Sequence, residues 1–183
     1  MGRPKALLPL RGGTFLSVLA ETLTPFCSQV VAVFGAEAET LIRHAPPGIN
    51  CVTNPCYRLG MLTSLQEGLR ALPLDECDAV LFTLVDHPAV GPRTIASVIA
   101  AIEASAAPIV IPRFRSTRGH PVIIRSAVIQ EFLAEPPTSK VRDVIDRHAH
   151  AIEYVDVADP GICDDIDDPD LYRELIGREA RAR

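Results

Sequence analysis

Short apolar runs alternate with stretches of helical spacing along most of the chain. Residues 79–85 are apolar except for one threonine, a pattern typical of a strand buried on both faces. Residues 61–72 instead carry four leucines at the spacing of one helix face. The same criteria predict strands over 29–34, 49–53, 79–85, 109–112, 121–124 and 152–157, and helices over 14–23, 36–43, 61–72, 93–105, 126–134, 140–147 and from 169 towards 181. This alternation predicts an α/β fold with helices on both faces of a sheet.

Length and charge narrow the class of protein. The 183 residues contain no internal repeat, low-complexity tract or linker, which predicts one domain over 1–183. The net charge is −5, from 18 basic and 23 acidic residues, with no block of like charge and no tryptophan. Because nucleic-acid binding requires a basic patch, often with aromatic side chains beside it, we expect no nucleic-acid partner.

The cysteines and apolar stretches indicate where the protein resides. The five cysteines form no C-x-x-C pair and have no zinc-ligand spacing. An odd number of cysteines without a secretory signal favours the reducing cytoplasm. The apolar stretch over 95–111 contains Glu103 and Pro108, so we predict neither a membrane span nor a membrane partner.

The first ten residues form a basic loop punctuated by glycine and proline, which we expect to lead into the first helix. Gly2, Pro4 and Lys5 form a Gly-x-Pro-Lys sequence before that helix. Loops of this type place backbone N–H groups and one ammonium group beside a phosphate chain. Lys5 is therefore a candidate phosphate ligand.

Asp86 follows the most apolar of the predicted strands. The sequence Leu84-Val-Asp86-His-Pro88 places its carboxylate at the predicted strand end, where the ligand crevice of an open α/β sheet lies. A carboxylate there suits Mg²⁺, which needs only one or two protein oxygens in addition to substrate phosphates. A turn or helix-capping aspartate fits the same position equally well.

A second acidic cluster lies before the C-terminal helix, over 164–170. Aspartates are favoured at helix N-termini, and this explains Asp167, Asp168 and Asp170 without a ligand. Asp165 lies further upstream, where capping explains it less well, and is the candidate for a second metal carboxylate.

Two further segments could contact a ligand. Gly60 and Ser64 open the helix over 61–72, where backbone N–H groups and a hydroxyl could meet a base or ribose, although a plain helix cap fits equally well. His120 lies between Gly119 and Pro121 in a turn before a predicted strand. A single histidine of this kind can equally be structural.

Taken together, these segments resemble the MobA-like nucleotidyltransferases, and within them the molybdenum cofactor cytidylyltransferase branch. The resemblance covers nearly the whole chain, and six motifs carry it in order. They are the residues over 1–10, Asn54-Pro55, Gly60-Met61 with Ser64-Leu65, Leu84 to Pro88, Arg118-Gly-His-Pro121 and Asp165-Ile-Asp-Asp-Pro169. The resemblance implies a Rossmann-like, three-layer α/β/α fold with a mostly parallel sheet.

The resemblance also implies a reaction and roles for individual residues. A phosphate of the acceptor, molybdenum-molybdopterin in that branch, would attack the α-phosphorus of an NTP, CTP in that branch, and release pyrophosphate. Asp86 and Asp165 would hold Mg²⁺, and Lys5 would stabilise the phosphate charge. The nucleotide would be bound by Lys5, Asn54, Gly60 and Ser64, and the acceptor by His120 and Arg142. A molybdoenzyme or its chaperone is the protein partner that the resemblance implies.

The sequence departs from the family pattern in two places. Family members begin with a strand and a Leu-Ala-Ala-Gly-x-x-x-Arg loop that have no counterpart here, so we expect an upstream start or a truncated homologue. Without that strand, two half-sheets are expected to lie about 10 Å apart, twice the usual spacing. The second departure is Thr138 to Arg142, where only Arg142 matches the family's Gly-Asp-x-Gly-Ala-Arg segment. The alternatives are a transferase for another nucleotide or acceptor, such as GTP, a sugar phosphate or methylerythritol phosphate, and a non-catalytic binding homologue that lacks the phosphate loop.

Overall fold

Alternating strands and helices make up the computed structural model, which describes residues 4–181. The strands are β1 (Pro9–Leu10), β2 (Gly13–Thr14), β3 (Val31–Phe34), β4 (Asn50–Thr53), β5 (Ala79–Phe82), β6 (Ile109–Phe114), β7 (Thr117–Arg118), β8 (Val122–Arg125) and β9 (Ile152–Asp156). The helices are α1 (Phe15–Leu23), α2 (Ala38–Arg43), α3 (Met61–Arg70), α4 (Pro92–Ala104), α5 (Ser126–Ala134), α6 (Val141–Arg147) and α7 (Pro169–Arg181).

The larger sheet is mixed, with both parallel and antiparallel strand pairs. Its order is β5-β8-β6-β9, with the short β7 beside the far end of β6. β8 is antiparallel to both β5 and β6, whereas β9 is parallel to β6. β5, β6 and β9 therefore run in one direction, and β8 runs in the opposite direction between two of them.

Side chains of the larger sheet alternate between two helical layers. Val80, Ile109 and Ile124 pack with α3, α5 and α6 in one apolar cluster. Val110 and Ile123, one position out of phase, pack against Val98 and Ile102 of α4. Because successive strand residues point to opposite faces, this arrangement requires apolar side chains at consecutive positions. The result is a three-layer α/β/α architecture, which confirms the predicted fold class.

β3 and β4 form a separate parallel pair. Between β3 and β5 lies a cavity of about 1000 Å³, lined by Val31 and Val33 on one side and by Leu81 on the other. Leu65 of α3 and Ile99 of α4 line it as well. The expected division of the sheet into two parts between β3 and β5 is therefore confirmed.

Two details differ from the sequence prediction. β5 ends at Phe82, so Asp86 lies four residues beyond the strand in a turn rather than at its tip. The segment from Lys5 forms a single 3₁₀ turn and the β1–β2 hairpin before α1 begins, rather than leading directly into a helix. Thr14 caps α1 by accepting a hydrogen bond from the Ser17 N–H.

Candidate active site

The loop after β5 and the loop before α7 meet at Asp86. The Ile166 N–H donates a hydrogen bond of 2.9 Å to the Asp86 carbonyl oxygen. The His87 N–H donates to the Leu84 carbonyl oxygen at 3.1 Å and closes the turn that carries Asp86. These backbone contacts bring Asp165 beside Asp86, although the two are far apart in sequence.

Lys5 enters the same site from the N-terminal segment. Its ammonium group donates to Asp86 Oδ2 at 3.3 Å and to the carboxylate of Asp167. Burial lowers the pKa of Lys5, but the hydrogen bond to Asp167 and the charge of Asp86 outweigh it, so the net shift is upward. The hydrogen bond from Lys5 lowers the pKa of Asp167. Lys5 is therefore charged and provides positive charge at a site rich in carboxylates.

Three side chains at this point could hold a cation. One ligand atom from each of Asp86, His87 and Asp165 lies within 4.8 Å of the other two. Among residues 4–181, Asp86 Oδ1 and His87 Nδ1 are both buried without a hydrogen-bond partner. Burial raises the pKa of Asp165, and repulsion from Asp86 and Asp167 adds to the rise. A divalent cation held by these side chains would relieve that repulsion, and unpartnered polar atoms on Asp86 and His87 are available to hold it, so the residues fit a metal centre.

His120 packs behind this group. Its ring lies 4.7 Å from the ring of His87, centroid to centroid, and 6.1 Å from the ring of Phe82. The His120 N–H donates to the Ile162 carbonyl oxygen at 3.0 Å, which ties the turn to the segment before Asp165. Burial lowers the pKa of His120 to about 4, and the neighbouring His87 contributes to the shift. His120 is therefore neutral at physiological pH.

Asn54 organises the start of α3. It is 1% exposed, and its amide nitrogen donates to Thr63 Oγ1 and Ser64 Oγ at 2.9 Å each. Its side-chain oxygen accepts from the Cys56 N–H at 2.8 Å. Sequence reasoning predicted a nucleotide contact for Asn54, whereas its buried amide is engaged within the protein. In this arrangement Asn54 positions Ser64.

Gly60 and Ser64 lie where the sequence predicted, at the first turn of α3. Gly60 is the N-cap with φ +125° and ψ 175°, a conformation that only glycine adopts without strain. Ser64 lines the cavity between β3 and β5, and Asp86 lines the same cavity. The predicted nucleotide segment and the predicted metal carboxylate therefore border the same cavity.

Arg142 stands apart from these residues. It is exposed on the first turn of α6. Within the described part of the chain its side chain makes no hydrogen bond or ion pair with Lys5, Asp86 or Asp165. Its acceptor-binding role stays a prediction.

Two residues of the site were missed by sequence reasoning. Asp167 was explained as a helix-terminal aspartate, but it also pairs with Lys5. The sequence analysis assigned a metal-binding role to Asp86 but none to the adjacent His87. An imidazole directly after a carboxylate near a strand end was the available signal for His87.

These features define a nucleotidyltransferase-like α/β protein with a carboxylate site beyond a sheet edge. The MobA-like NTP transferase domain model matches residues 1–152, and the chain belongs to that family. Homologues of this family are nucleotidyltransferases that take a nucleoside triphosphate and a phosphate-bearing substrate. No helix within residues 4–181 has the length and apolar character needed to cross a membrane.

Two curated relatives are similar over nearly their whole length. The molybdenum cofactor cytidylyltransferase of Escherichia coli (strain K12) is 26% identical over 174 residues, which are 94% of this chain and 86% of the relative. The nicotine blue oxidoreductase of Paenarthrobacter nicotinovorans is 29% identical over 189 residues, covering 96% of this chain and 90% of that protein.

Solved structures agree with the fold. Rv0371c from Mycobacterium tuberculosis H37Rv, solved in complex with manganese, has a TM-score of 0.79 and 26% identity. That alignment covers 96% of this chain and 93% of the other. A nucleotidyl transferase from Methanothermobacter has a TM-score of 0.82 and 20% identity, and the alignment covers 98% of this chain and 86% of the transferase. At this identity, the similarity to the Methanothermobacter protein shows the fold alone.

Proposed function

We propose that the protein transfers CMP from CTP to a phosphate of molybdenum-molybdopterin and releases pyrophosphate. Membership of the MobA-like NTP transferase family supports nucleotidyl transfer. The similarity to the E. coli molybdenum cofactor cytidylyltransferase supports CTP and the molybdenum-bearing acceptor. The observation that carries the proposal is the meeting of Lys5, Asp86 and Asp165 in the loops beyond the end of β5.

In the proposed reaction an oxygen of the acceptor phosphate attacks the α-phosphorus of CTP. The bond from the α-phosphorus to the bridging oxygen breaks, and that oxygen leaves with pyrophosphate. Such transfers require positioning and charge neutralisation rather than covalent catalysis by the protein. The chain needs cationic and hydrogen-bonding groups in fixed positions, and it supplies them from four separate segments.

We assign each residue a role in this transfer. Lys5, held by Asp86 and Asp167, offers a fixed positive charge to the phosphates. Gly60 and Ser64 border the nucleotide, with Ser64 oriented by Asn54. His120 and Arg142 are proposed to meet the acceptor.

In the proposed site, Asp86 and Asp165 would hold a divalent cation. Mg²⁺ is the ion expected from the resemblance to the family. When bound there, it neutralises phosphate charge and aligns the attacking and leaving oxygens. The buried, unpartnered Asp86 Oδ1 supports this role for Asp86. The relative solved with manganese supports a divalent ion in this family.

Pyrophosphate release tests the proposal. The chain is incubated with molybdenum-loaded molybdopterin and, in parallel, with CTP, GTP, ATP or UTP in the presence of Mg²⁺ or Mn²⁺. We expect release with CTP that depends on both acceptor and cation. Release with another nucleotide would reassign the base, and turnover with a sugar phosphate or methylerythritol phosphate would reassign the acceptor. Acceptor binding without cation-dependent affinity for any nucleotide would favour the binding homologue instead.

A further inference from the structure

His87 lies beside the carboxylates of Asp86 and Asp165 and has no role in the proposed transfer. It is 7% exposed, and no hydrogen bond to its Nδ1 is found among the residues that the structure describes; Nδ1 of the neighbouring His120 has no partner there either. Since buried polar groups in native proteins are nearly always satisfied, these atoms point to a group that binds beside the two imidazoles.

The surroundings of His87 point to a cation. One of its ring nitrogens lies within 4.8 Å of carboxylate oxygens from both Asp86 and Asp165. Ligand atoms of an octahedral ion at 2.1 Å lie about 3.0 to 4.2 Å apart, so small side-chain adjustments would close this set on one ion. Asp86 Oδ2 faces the ammonium of Lys5, which leaves the buried Oδ1 as the free oxygen.

The three ligands are held by the backbone rather than by their own side chains. The hydrogen bond from the His87 N–H to the Leu84 carbonyl oxygen fixes the turn that carries Asp86 and His87. The hydrogen bond from the Ile166 N–H to the Asp86 carbonyl oxygen fixes Asp165 next to that turn. The ring of His120 packs at 4.7 Å and limits where the His87 ring can move. The ligand set is therefore largely formed before any ion binds.

A nitrogen ligand changes which ion the site prefers. Mg²⁺ binds oxygen ligands and keeps several waters, whereas imidazole suits Zn, Cu, Fe and Ni, and Mn²⁺ lies at the weak end of the same first-row series. We propose that His87 is the third protein ligand of the cation and that the site therefore prefers first-row transition-metal dications to Mg²⁺. The inference rests on the proposed function only in placing a cation at Asp86 and Asp165.

Mn²⁺ binding to the full chain without nucleotide tests this ligand directly. Free Mn²⁺ is followed by electron paramagnetic resonance, and Mg²⁺ affinity is obtained by competition. Mn²⁺ binds most weakly of the first-row series, so it is the most demanding probe of the preference. We expect Mn²⁺ to bind about tenfold more tightly than Mg²⁺. We also expect His87→Asn to weaken Mn²⁺ by about tenfold or more and Mg²⁺ by less than about threefold.

Electron spin-echo modulation identifies the nitrogen. Bound Mn²⁺ should show ¹⁴N coupling that changes to ¹⁵N coupling when the unaltered chain is made with ¹⁵N-histidine, a test that needs no variant. The coupling should persist in His120→Asn and in the remote control His148→Gln, and should vanish in His87→Asn. Absence of histidine nitrogen coupling in the unaltered chain, or its loss only in His120→Asn, would overturn the assignment of His87.

The two proposals can fail separately. Histidine coupling to Mn²⁺ without any CTP turnover would leave the ligand assignment standing and remove the proposed transfer. Cation-dependent CTP turnover without histidine nitrogen coupling to the bound Mn²⁺ would do the reverse.

Discussion

Replacement of Lys5 by methionine should separate cation binding from catalysis. Lys5 Nζ lies 3.3 Å from Asp86 Oδ2, while the buried Oδ1 of the same carboxylate is the oxygen left for a metal ion. The ammonium group and the cation would therefore occupy opposite oxygens of one carboxylate and repel each other. We expect Lys5→Met to bind a divalent cation more tightly than the unaltered chain, although it transfers nucleotide more slowly.

The size of this effect follows from the geometry. Adding the width of a carboxylate, about 2.2 Å, and a metal–oxygen bond, about 2.1 Å, to the ion-pair distance of 3.3 Å places the two charges about 7.5 Å apart. The Lys5 side chain is 29% exposed, so a solvent-like dielectric applies, and a charge of +1 beside +2 costs about 1.1 kcal/mol. That is about a sixfold gain in cation affinity for Lys5→Met at low salt. At 0.15 M ionic strength, where the Debye length is about 8 Å, the gain should fall to about twofold.

The assay is Mn²⁺ binding at two ionic strengths, with pyrophosphate release measured on the same preparations. Lys5→Arg is the matched control, because it retains the charge and should leave cation affinity nearly unchanged. Equal or weaker Mn²⁺ affinity in Lys5→Met would show that the ammonium does not face the cation, and that its role is to hold Asp86 in place. If Lys5→Met releases pyrophosphate as fast as the unaltered chain, Lys5 does not act on the phosphates.

Two further predictions follow from individual side chains. In EDTA, the contribution of His120 to the free energy of unfolding should fall by about 3 kcal/mol as the pH is lowered from 6.5 to 4, because His120 takes up a proton in the unfolded chain near its ordinary pKa but in the folded protein only near pH 4; equal pH profiles for the unaltered chain and His120→Gln would contradict this. Asn54→Ala removes three hydrogen bonds, one buried and two part-buried, and should cost about 3 kcal/mol in urea unfolding. Ser64→Ala loses one of the three and should cost about 1 kcal/mol, so equal losses in the two variants would refute the bonding pattern.

The order of strands and helices was predictable because burial on both faces leaves a local signal. The run over 79–85 identified β5, and the leucines of 61–72 identified α3. The end of β5 was not predictable, since Leu84 and Val85 continue the apolar pattern while the chain has already turned. The sequence also did not predict that β8 runs antiparallel to β5 and β6, because strand direction depends on the pairing between strands and not on the residues of one strand.

The candidate site could be predicted from the sequence only in part, because it too depends on contacts between segments that are distant in the chain. Asp86 stood out because it followed the most apolar predicted strand, and Asp165 because helix capping explained it less well than the aspartates after it. The pairing of Lys5 with Asp167 joins residues 162 positions apart and leaves no local trace. The buried position of His87 depends on contacts from the His120 turn and from the segment before α7, so only the folded arrangement identified it as a ligand candidate.

Asp86 is proposed to hold the cation on which nucleotidyl transfer depends. The most direct test of this role is transfer of label from CTP carrying ³³P at the α-phosphorus to molybdenum-loaded molybdopterin, with Asp86→Asn compared with the unaltered chain. Asp170→Asn is the control, an exposed aspartate paired with Arg173 in α7. We predict cation-dependent transfer by the unaltered chain and by Asp170→Asn, and none by folded Asp86→Asn. Unchanged transfer by Asp86→Asn would contradict the account.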